Sequence, residues 1–273
     1  MNYEEVYLDL VNTVLENGEG RKTRAGDTIA LFGTQLAIHD LSKGHFPVLT
    51  TRRMYLPGIV GELAAFIRGA TTVAEFKEFG CNYWDMNAAT WSENAGICPE
   101  NHVVGNIYGA KWRNFHGVDQ LRELVENLKF NPMSRRHLLT TYDPSETYHC
   151  LPPCHLMAQF NVTNDNALDC IVYMRSVDLI LGLPSDVVLY SLLLVLLAKE
   201  CDYSVGKLVF MLGDTHVYTD HIALFETTQR RRHILPLPSW RLHEDTQLFD
   251  FLPSDFQLVD YKHHDPIKYT FNV

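Results

Sequence analysis

Apolar residues recur at helical spacing in three stretches of the chain and alternate in two others. Ile59, Leu63 and Phe66 are four and three residues apart, which predicts a helix over Val60–Ile67 with Gly69 as its stop. Glu62 lies on the same face, three residues after Ile59 and four before Phe66. A carboxylate there is costly unless hydrogen-bonded, paired or protonated; the simpler expectation is a partly solvated residue at the helix edge. Leu121, Leu124, Val125 and Leu128 predict a second helix that starts near Asp119 and stops at Asn131-Pro132. Val187–Ala198 is the longest apolar run. It is too short to span a bilayer and predicts a buried helix, with Ser185 or Asp186 of the preceding Gly182–Asp186 turn as its cap. Leu156–Val162 and Leu168–Met174, joined by Thr163-Asn164-Asp165-Asn166, predict a β-hairpin, and Leu208–Leu212 a further short strand. Helices and strands mix without a βαβ rhythm, so the class is α+β. No repeat, low-complexity tract or linker interrupts the chain, which predicts a single domain over residues 1–273.

Composition narrows the function classes. With 46% hydrophobic and 21% charged residues in 273, the chain is neither disordered nor fibrous. Its formal charge of −10 argues against wrapping a nucleic-acid backbone, whose affinity rests on phosphate neutralisation. The first residues are acidic where a signal peptide needs basic ones, and no stretch reads as a membrane span, so a cytoplasmic location is expected. Reduced thiols are expected for the six cysteines. Cys150 and Cys154 have His149 and His155 beside them, but this spacing has no second half and Pro152-Pro153 stiffens the loop, so no metal is expected.

The chemistry-bearing segments follow in order. Leu151-Pro152-Pro153-Cys154-His155 is followed, one hairpin later, by Arg175-Ser176-Val177-Asp178 and Leu181-Gly182-Leu183-Pro184. A nearby guanidinium can give a cysteine thiolate character and so make it a nucleophile. Gly213-Asp214-Thr215-His216-Val217-Tyr218 reads in isolation as a polar turn after a strand, and Arg135-Arg136 as a solvated pair. Together with Arg24-Ala25-Gly26-Asp27-Thr28, Phe46–Arg53, Gly61-Glu62-Leu63, Tyr83-Trp84-Asp85, Ile107–Arg113 and Ser134-Arg135-Arg136, these segments resemble the thymidylate synthase family over nearly the whole chain.

The resemblance implies a large twisted mixed β-sheet flanked by helices, with sheets packed back to back in a homodimer. It implies a pyrimidine nucleoside monophosphate and 5,10-methylenetetrahydrofolate as substrates. By position, Cys154 is the nucleophile, and Glu62, Tyr108 and Asp178 complete the catalytic set. Arg24, Arg175 and Ser176 hold the phosphate, with Arg135 and Arg136 completing the partner subunit's phosphate site; the loop at Arg24 is one residue shorter than the family's usual form. His216 and Tyr218 contact the sugar, Asp186 faces the base, and His155 belongs to the substrate-binding set within the catalytic and folate-side network. Arg52, Tyr83, Trp84, Asn87, Asp178, Gly182 and Val273 form the folate side. The chemistry is addition of the thiol at C6 of the pyrimidine, which makes C5 a nucleophile toward the one-carbon unit, followed by removal of the C5 proton through water held by Glu62 and Tyr108.

Departures from the family's pattern bear on the product. Asp186 stands where an asparagine reads the uracil edge, and Ser185 where a phenylalanine is usual. An ionised aspartate only accepts hydrogen bonds, which suits the 4-amino group of cytosine and opposes uracil O4. That implies the cytidylate-directed branch, acting on CMP or dCMP; a mere helix cap is the competing reading of Asp186. Asn87 replaces a second tryptophan, Tyr83 a small aliphatic residue, and Asn272 a small apolar residue of the tail. Groups able to hold water at the folate wall favour a hydroxymethyl product with tetrahydrofolate. The alternative is methyl transfer to dCMP, or to dUMP as in thymidylate synthase, giving a methylated base and dihydrofolate. A non-catalytic nucleotide binder is the reading from another class, and it has no need of Cys154.

Overall fold

The computed structural model describes residues 1–85, 88–89, 103–146 and 152–272. Helix α1, Tyr3–Asn17, opens with a reciprocal cap between Asn2 and Glu5. Strands β1 (Glu19–Thr23) and β2 (Gly26–Ile38) follow. Helix α2 runs Leu56–Arg68, longer than the apolar spacing predicts because Pro57 is tolerated in its first turn. Left-handed Gly69 ends it. Short helices α3 (Val73–Glu78) and α4 (Gly109–Arg113) precede α5, Gln120–Phe130, whose N-terminus Asp119 caps as expected. Strands β3 (Leu138–Thr140), β4 (His155–Val162) and β5 (Ala167–Asp178) lead to α6 (Gly182–Glu200), β6 (Ser204–Tyr218) and α7 (Thr219–Thr227). A separate ribbon pairs β7 (Ser239–Leu242) with β8 (Phe256–Val259).

The six-stranded sheet has the order β1-β2-β6-β5-β4-β3, with β5 and β6 parallel and every other pair antiparallel. This is the mixed sheet of an α+β fold. The β4–β5 hairpin turns at Asn166, whose left-handed φ of 58° an asparagine tolerates.

Two boundaries differ from the sequence expectation, and both matter for the site. Helix α6 begins at Gly182, five residues before the apolar run, with Pro184 accommodated in the first turn where backbone N–H groups have no helical acceptor. Ser185 and Asp186 therefore lie inside the helix and cap nothing; the Ser185 hydroxyl donates back to the Leu181 carbonyl at 3.1 Å. Strand β6 does not end at Leu212 but continues through the polar stretch to Tyr218, because β2 and β5 flank it on both sides. At 19 residues α6 is long and apolar enough to cross a membrane, yet 78% of its apolar window is buried in the protein, where it packs on β5, β6 and α2. Burying each of its Leu and Val side chains contributes about 1.5–3 kcal/mol, which explains the composition without a membrane.

The other face of the sheet is open. Met157, Ile171, Tyr173 and Met211 are each 38–43% exposed there. Beside the site, the buried Lys111 ammonium of α4 donates to Asp143 at 2.9 Å and Glu146 at 2.7 Å, tying α4 to the segment after β3. That pairing supports Tyr108, which enters α4 with a left-handed φ of 45°.

Candidate active site

A cleft of 750 Å³ opens where the ends of β4, β5 and β6 meet α2 and the first turns of α6. That is within the range of about 300–1,000 Å³ for small-molecule sites. Of the residues singled out in the sequence, Arg24, Arg52, Glu62, Tyr83, Trp84, Tyr108, Cys154, His155, Arg175, Ser176, Asp178, Gly182, Asp186, His216 and Tyr218 all line it. Arg135 and Arg136 do not; both are exposed on the loop before β3. Asn87 and Val273 lie outside the described residues, as do Cys98 and Cys150.

Cys154 sits at the mouth of β4, and its carbonyl accepts the Arg175 backbone N–H at 2.8 Å. The Cys154 N–H donates to the Tyr108 hydroxyl at 2.9 Å. The Arg175 guanidinium donates to the carbonyls of Pro153 (2.8 Å) and Pro152 (2.7 Å) and reaches Sγ of Cys154 at 3.9 Å. Burial nevertheless outweighs Arg175 and pushes the thiol up, which favours the thiol over the thiolate that the motif implies. Cys81, Cys170 and Cys201 are also free.

Glu62 is not a solvated edge residue. It is 7% exposed, accepts from the Tyr83 hydroxyl at 2.6 Å and Trp84 Nε1 at 2.7 Å, and burial raises its carboxyl to about 7 despite those two bonds. Asp186, on the same side, is pushed well above the usual carboxylate range by burial, with Glu62 and Asp178 adding to it. Burial thus favours its protonated form, which both donates and accepts, over the acceptor-only carboxylate expected from the sequence. His155 faces it, with Nε2 at 3.8 Å from Asp186 Oδ1. The His155 ring stacks on Tyr108 at 3.9 Å and 17°, and burial pulls its pKa down to about 3, so it is neutral.

The opposite end is charged. His216 Nδ1 lies 2.9 Å from Asp214 Oδ1, and Asp214 Oδ2 accepts from Arg21 at 2.7 Å. Arg24, Ser176 and Tyr218 complete this end. On the remaining wall, Glu4 of α1 accepts from the backbone N–H groups of Thr50 and Thr51 at 2.8 Å each and so fixes the loop that carries Arg52. Arg52 donates to the Ile180 carbonyl at 2.6 Å, while its Nε is buried with no partner among the described residues. The tail returns here: Thr270 accepts from His221, Asn272 donates to Asp220 at 3.3 Å, and Phe271 and Asn272 reach the cleft.

The thymidylate synthase family model matches residues 5–273. The chain belongs to the thymidylate synthase family. It is 38% identical to "Thymidylate synthase" of Mycoplasma pneumoniae over 96% of this chain and 97% of that protein. It is 36% identical to "Bifunctional dihydrofolate reductase-thymidylate synthase" of Paramecium tetraurelia over 97% of this chain and 60% of that longer protein. The six-stranded mixed sheet flanked by helices is the family's fold. Sequence reasoning missed Asp214, Met54, Tyr55 and Leu181 on the cleft wall. It also missed Tyr190, whose hydroxyl lies 2.7 Å from His155 Nδ1. Tyr190 was hidden inside an apolar run, and only its polar atom amid twelve helix-core positions offered a signal.

Proposed function

We propose that the protein transfers a one-carbon unit from 5,10-methylenetetrahydrofolate to C5 of dUMP, giving the methylated base and dihydrofolate. The observation that carries this reading is Cys154, held between Arg175 and Tyr108 in a cleft whose inner end is closed by Glu62, His155 and Asp186. The names of the two relatives favour the same reaction.

The Cys154 sulfur adds at C6 and its proton leaves, assisted by the Arg175 guanidinium once the nucleotide phosphate brings the ring into place. C5 then bonds to the methylene carbon. Glu62, poised near neutrality, takes the C5 proton through water, with Tyr108 beside it. As that proton leaves, the bond from the methylene carbon to the folate nitrogen breaks, and the tetrahydrofolate so released would supply the hydride that reduces the exocyclic methylene to methyl, becoming dihydrofolate. Elimination of Cys154 restores the aromatic ring. Trp84, Leu181 and Phe271 offer a flat apolar wall for the pteridine ring, and the unpartnered Arg52 Nε a donor for a folate oxygen. Arg24, Arg175 and Ser176 hold the phosphate, and His216 and Tyr218 the sugar.

Hydroxymethylation of CMP or dCMP, the reading drawn from the sequence, loses two supports. Burial favours the protonated form of Asp186, and a protonated Asp186 pairs with uracil as readily as with cytosine: it accepts from N3–H and donates to O4. The Tyr83 hydroxyl already donates to Glu62 and the Asn272 amide to Asp220, so each has a protein partner before any water is held. A second reading keeps dCMP as the substrate, since a neutral Asp186 also donates to cytosine N3 and accepts from its amino group. Incubating dUMP, dCMP and CMP with methylenetetrahydrofolate, and identifying base and folate products by mass spectrometry, tests all three. Dihydrofolate formed one-for-one with methylated uridylate is expected; tetrahydrofolate with hydroxymethylcytidylate would restore the first expectation.

The homodimer belongs to the same proposal. Met157, Ile171, Tyr173 and Met211 form the apolar patch that a second sheet would cover, and exposed Arg135 and Arg136 are free to complete the partner subunit's phosphate site. Sedimentation should give a dimer, and a mixture of C154S and R135A/R136A chains should recover part of the activity that each lacks alone.

A further inference from the structure

Both oxygens of the Glu62 carboxylate accept a hydrogen bond, and the two donors differ in kind. Trp84 Nε1–H reaches Oε1 at 2.7 Å, and an indole nitrogen can only donate. The Tyr83 hydroxyl reaches Oε2 at 2.6 Å, and a hydroxyl can both donate and accept. Tyr83 keeps its own proton, because burial and the neighbouring Glu62 push the phenol well above its usual value. Against an ionised Glu62 the contact is therefore a charge-assisted O–H···O⁻ bond, the short and strong kind. The fold makes room for it. Gly58 lies four residues before Glu62 on the same face of α2. A Cβ at Gly58 would come within 2.9 Å of Tyr83 Cε1, and closer still to the Tyr55 ring, so the absent side chain is what lets the phenol lie against the helix. The small aliphatic residue of the family's pattern offers no donor at this place, so the bond is this chain's own.

The remaining surroundings do not favour the charged form. Besides Tyr83, the titratable groups that face Glu62 among the described residues are Cys81 on the segment after α3, Tyr108 entering α4, and Asp186 and Tyr190 on α6; none is a cation. Desolvation works against the carboxylate, and the bonds from Tyr83 and Trp84 are what oppose it. We propose that Tyr83 is a positioning residue for proton removal: its hydroxyl holds Glu62 as a carboxylate and marks Oε2 as the oxygen that receives the substrate's C5 proton. This rests on the reading of the cleft as a pyrimidine nucleotide site.

The difference between the two donors sets the course of the proton. Oε1 faces a group that can only donate, so the arriving proton goes to Oε2. The electron pair of the broken C5–H bond stays with the substrate and forms the exocyclic double bond as the folate nitrogen departs. The Tyr83 hydroxyl then turns from donor to acceptor, taking a bond from Oε2–H, and its own hydrogen swings toward the Cys81 sulfur, the other side chain beside that hydroxyl. Tyr83 thus favours Glu62 as a base before the transfer and accommodates it as an acid afterwards. In Y83F the ring remains against Gly58 but both contributions are lost.

The pH profile of kcat tests this. In Y83F the rising limb, identified as the one that E62Q loses, should move up by about one pH unit or more and lower kcat at neutral pH about fivefold or more. The sign separates this from loosened packing, because water let in beside Glu62 would relieve its desolvation and move the limb down. A limb that moves down, or stays within about 0.3 pH units of wild type, overturns the proposal. Carbon-13 NMR of the glutamate carboxyls in the nucleotide-free protein, with Glu62 assigned by its absence in E62Q, should show its midpoint rise in Y83F from about 7; an unmoved or lower midpoint also overturns it. If Y83F does not fold, 3-fluorotyrosine placed at position 83 makes the phenol a stronger donor and should move the Glu62 midpoint down; a midpoint unchanged or raised overturns the proposal. Should wild type turn over no nucleotide, the functional reading fails by itself, and the carboxyl titration decides whether Tyr83 holds Glu62 as the proton acceptor.

Discussion

The two ends of the cleft each hold a histidine, and the two sit in opposite surroundings. At the inner end His155 Nδ1 lies 2.7 Å from the Tyr190 hydroxyl, the ring stacks on Tyr108, and burial keeps the imidazole neutral. At the outer end His216 Nδ1 lies 2.9 Å from the Asp214 carboxylate, which Arg21 also holds, and a carboxylate can only accept, so Nδ1 carries a proton. The groups around the inner end, Glu62 and Asp186, are held protonated or near neutrality by desolvation, whereas the outer end keeps Arg24, Arg175 and Asp214 in a polar, solvent-facing setting. Chemistry needs the first environment and phosphate capture the second.

Substitutions at either end should separate these roles. The largest effect is expected for C154S, with turnover lowered more than about 10⁴-fold and dUMP affinity within a few-fold of wild type by calorimetry, since only the covalent step is lost. Replacing Glu62 by Gln should lower kcat by about 10²–10⁴-fold. In wild type the proton-accepting form of Glu62 accumulates above about 7, so kcat should rise with pH through that value, and E62Q should lose that limb. A wild-type rate that falls across the same range would remove Glu62 as the base. Lys111→Met leaves buried Asp143 and half-buried Glu146 without the ammonium between them, with only His116 Nε2, 2.8 Å from Asp143, still beside that carboxylate. The urea-unfolding midpoint should fall. At the outer end, D214N frees His216 to change tautomer, and KM for dUMP should rise about tenfold with kcat within twofold. An equal fall in kcat would mean that the two ends are not separable.

Elements whose signals are local were legible in the sequence. The α5 helix has its cap, its period and its proline stop within fifteen residues, and the β4–β5 hairpin has its turn residues between alternating strands. The start of α6 was not, because Gly182-Leu183-Pro184-Ser185 carries turn chemistry that the first helical turn also tolerates. The far half of β6 looks like a loop because its polar residues face a cleft and not bulk water. For the site, motif order identified most of the residues lining the cleft, but not their protonation. The burial of Glu62 depends on Tyr83 and Trp84, more than twenty residues away, and that of Asp186 on a pocket no linear pattern displays.

The grip of Arg175 on the Pro152 and Pro153 carbonyls makes the proposed phosphate anchor and the backbone that presents the sulfur one mechanical unit. The span from phosphate to C6 is then a built-in ruler. A nucleoside lacking its phosphate should fall short in commitment as well as in occupancy: even at saturation it should react slowly, because nothing aligns its ring with the thiol.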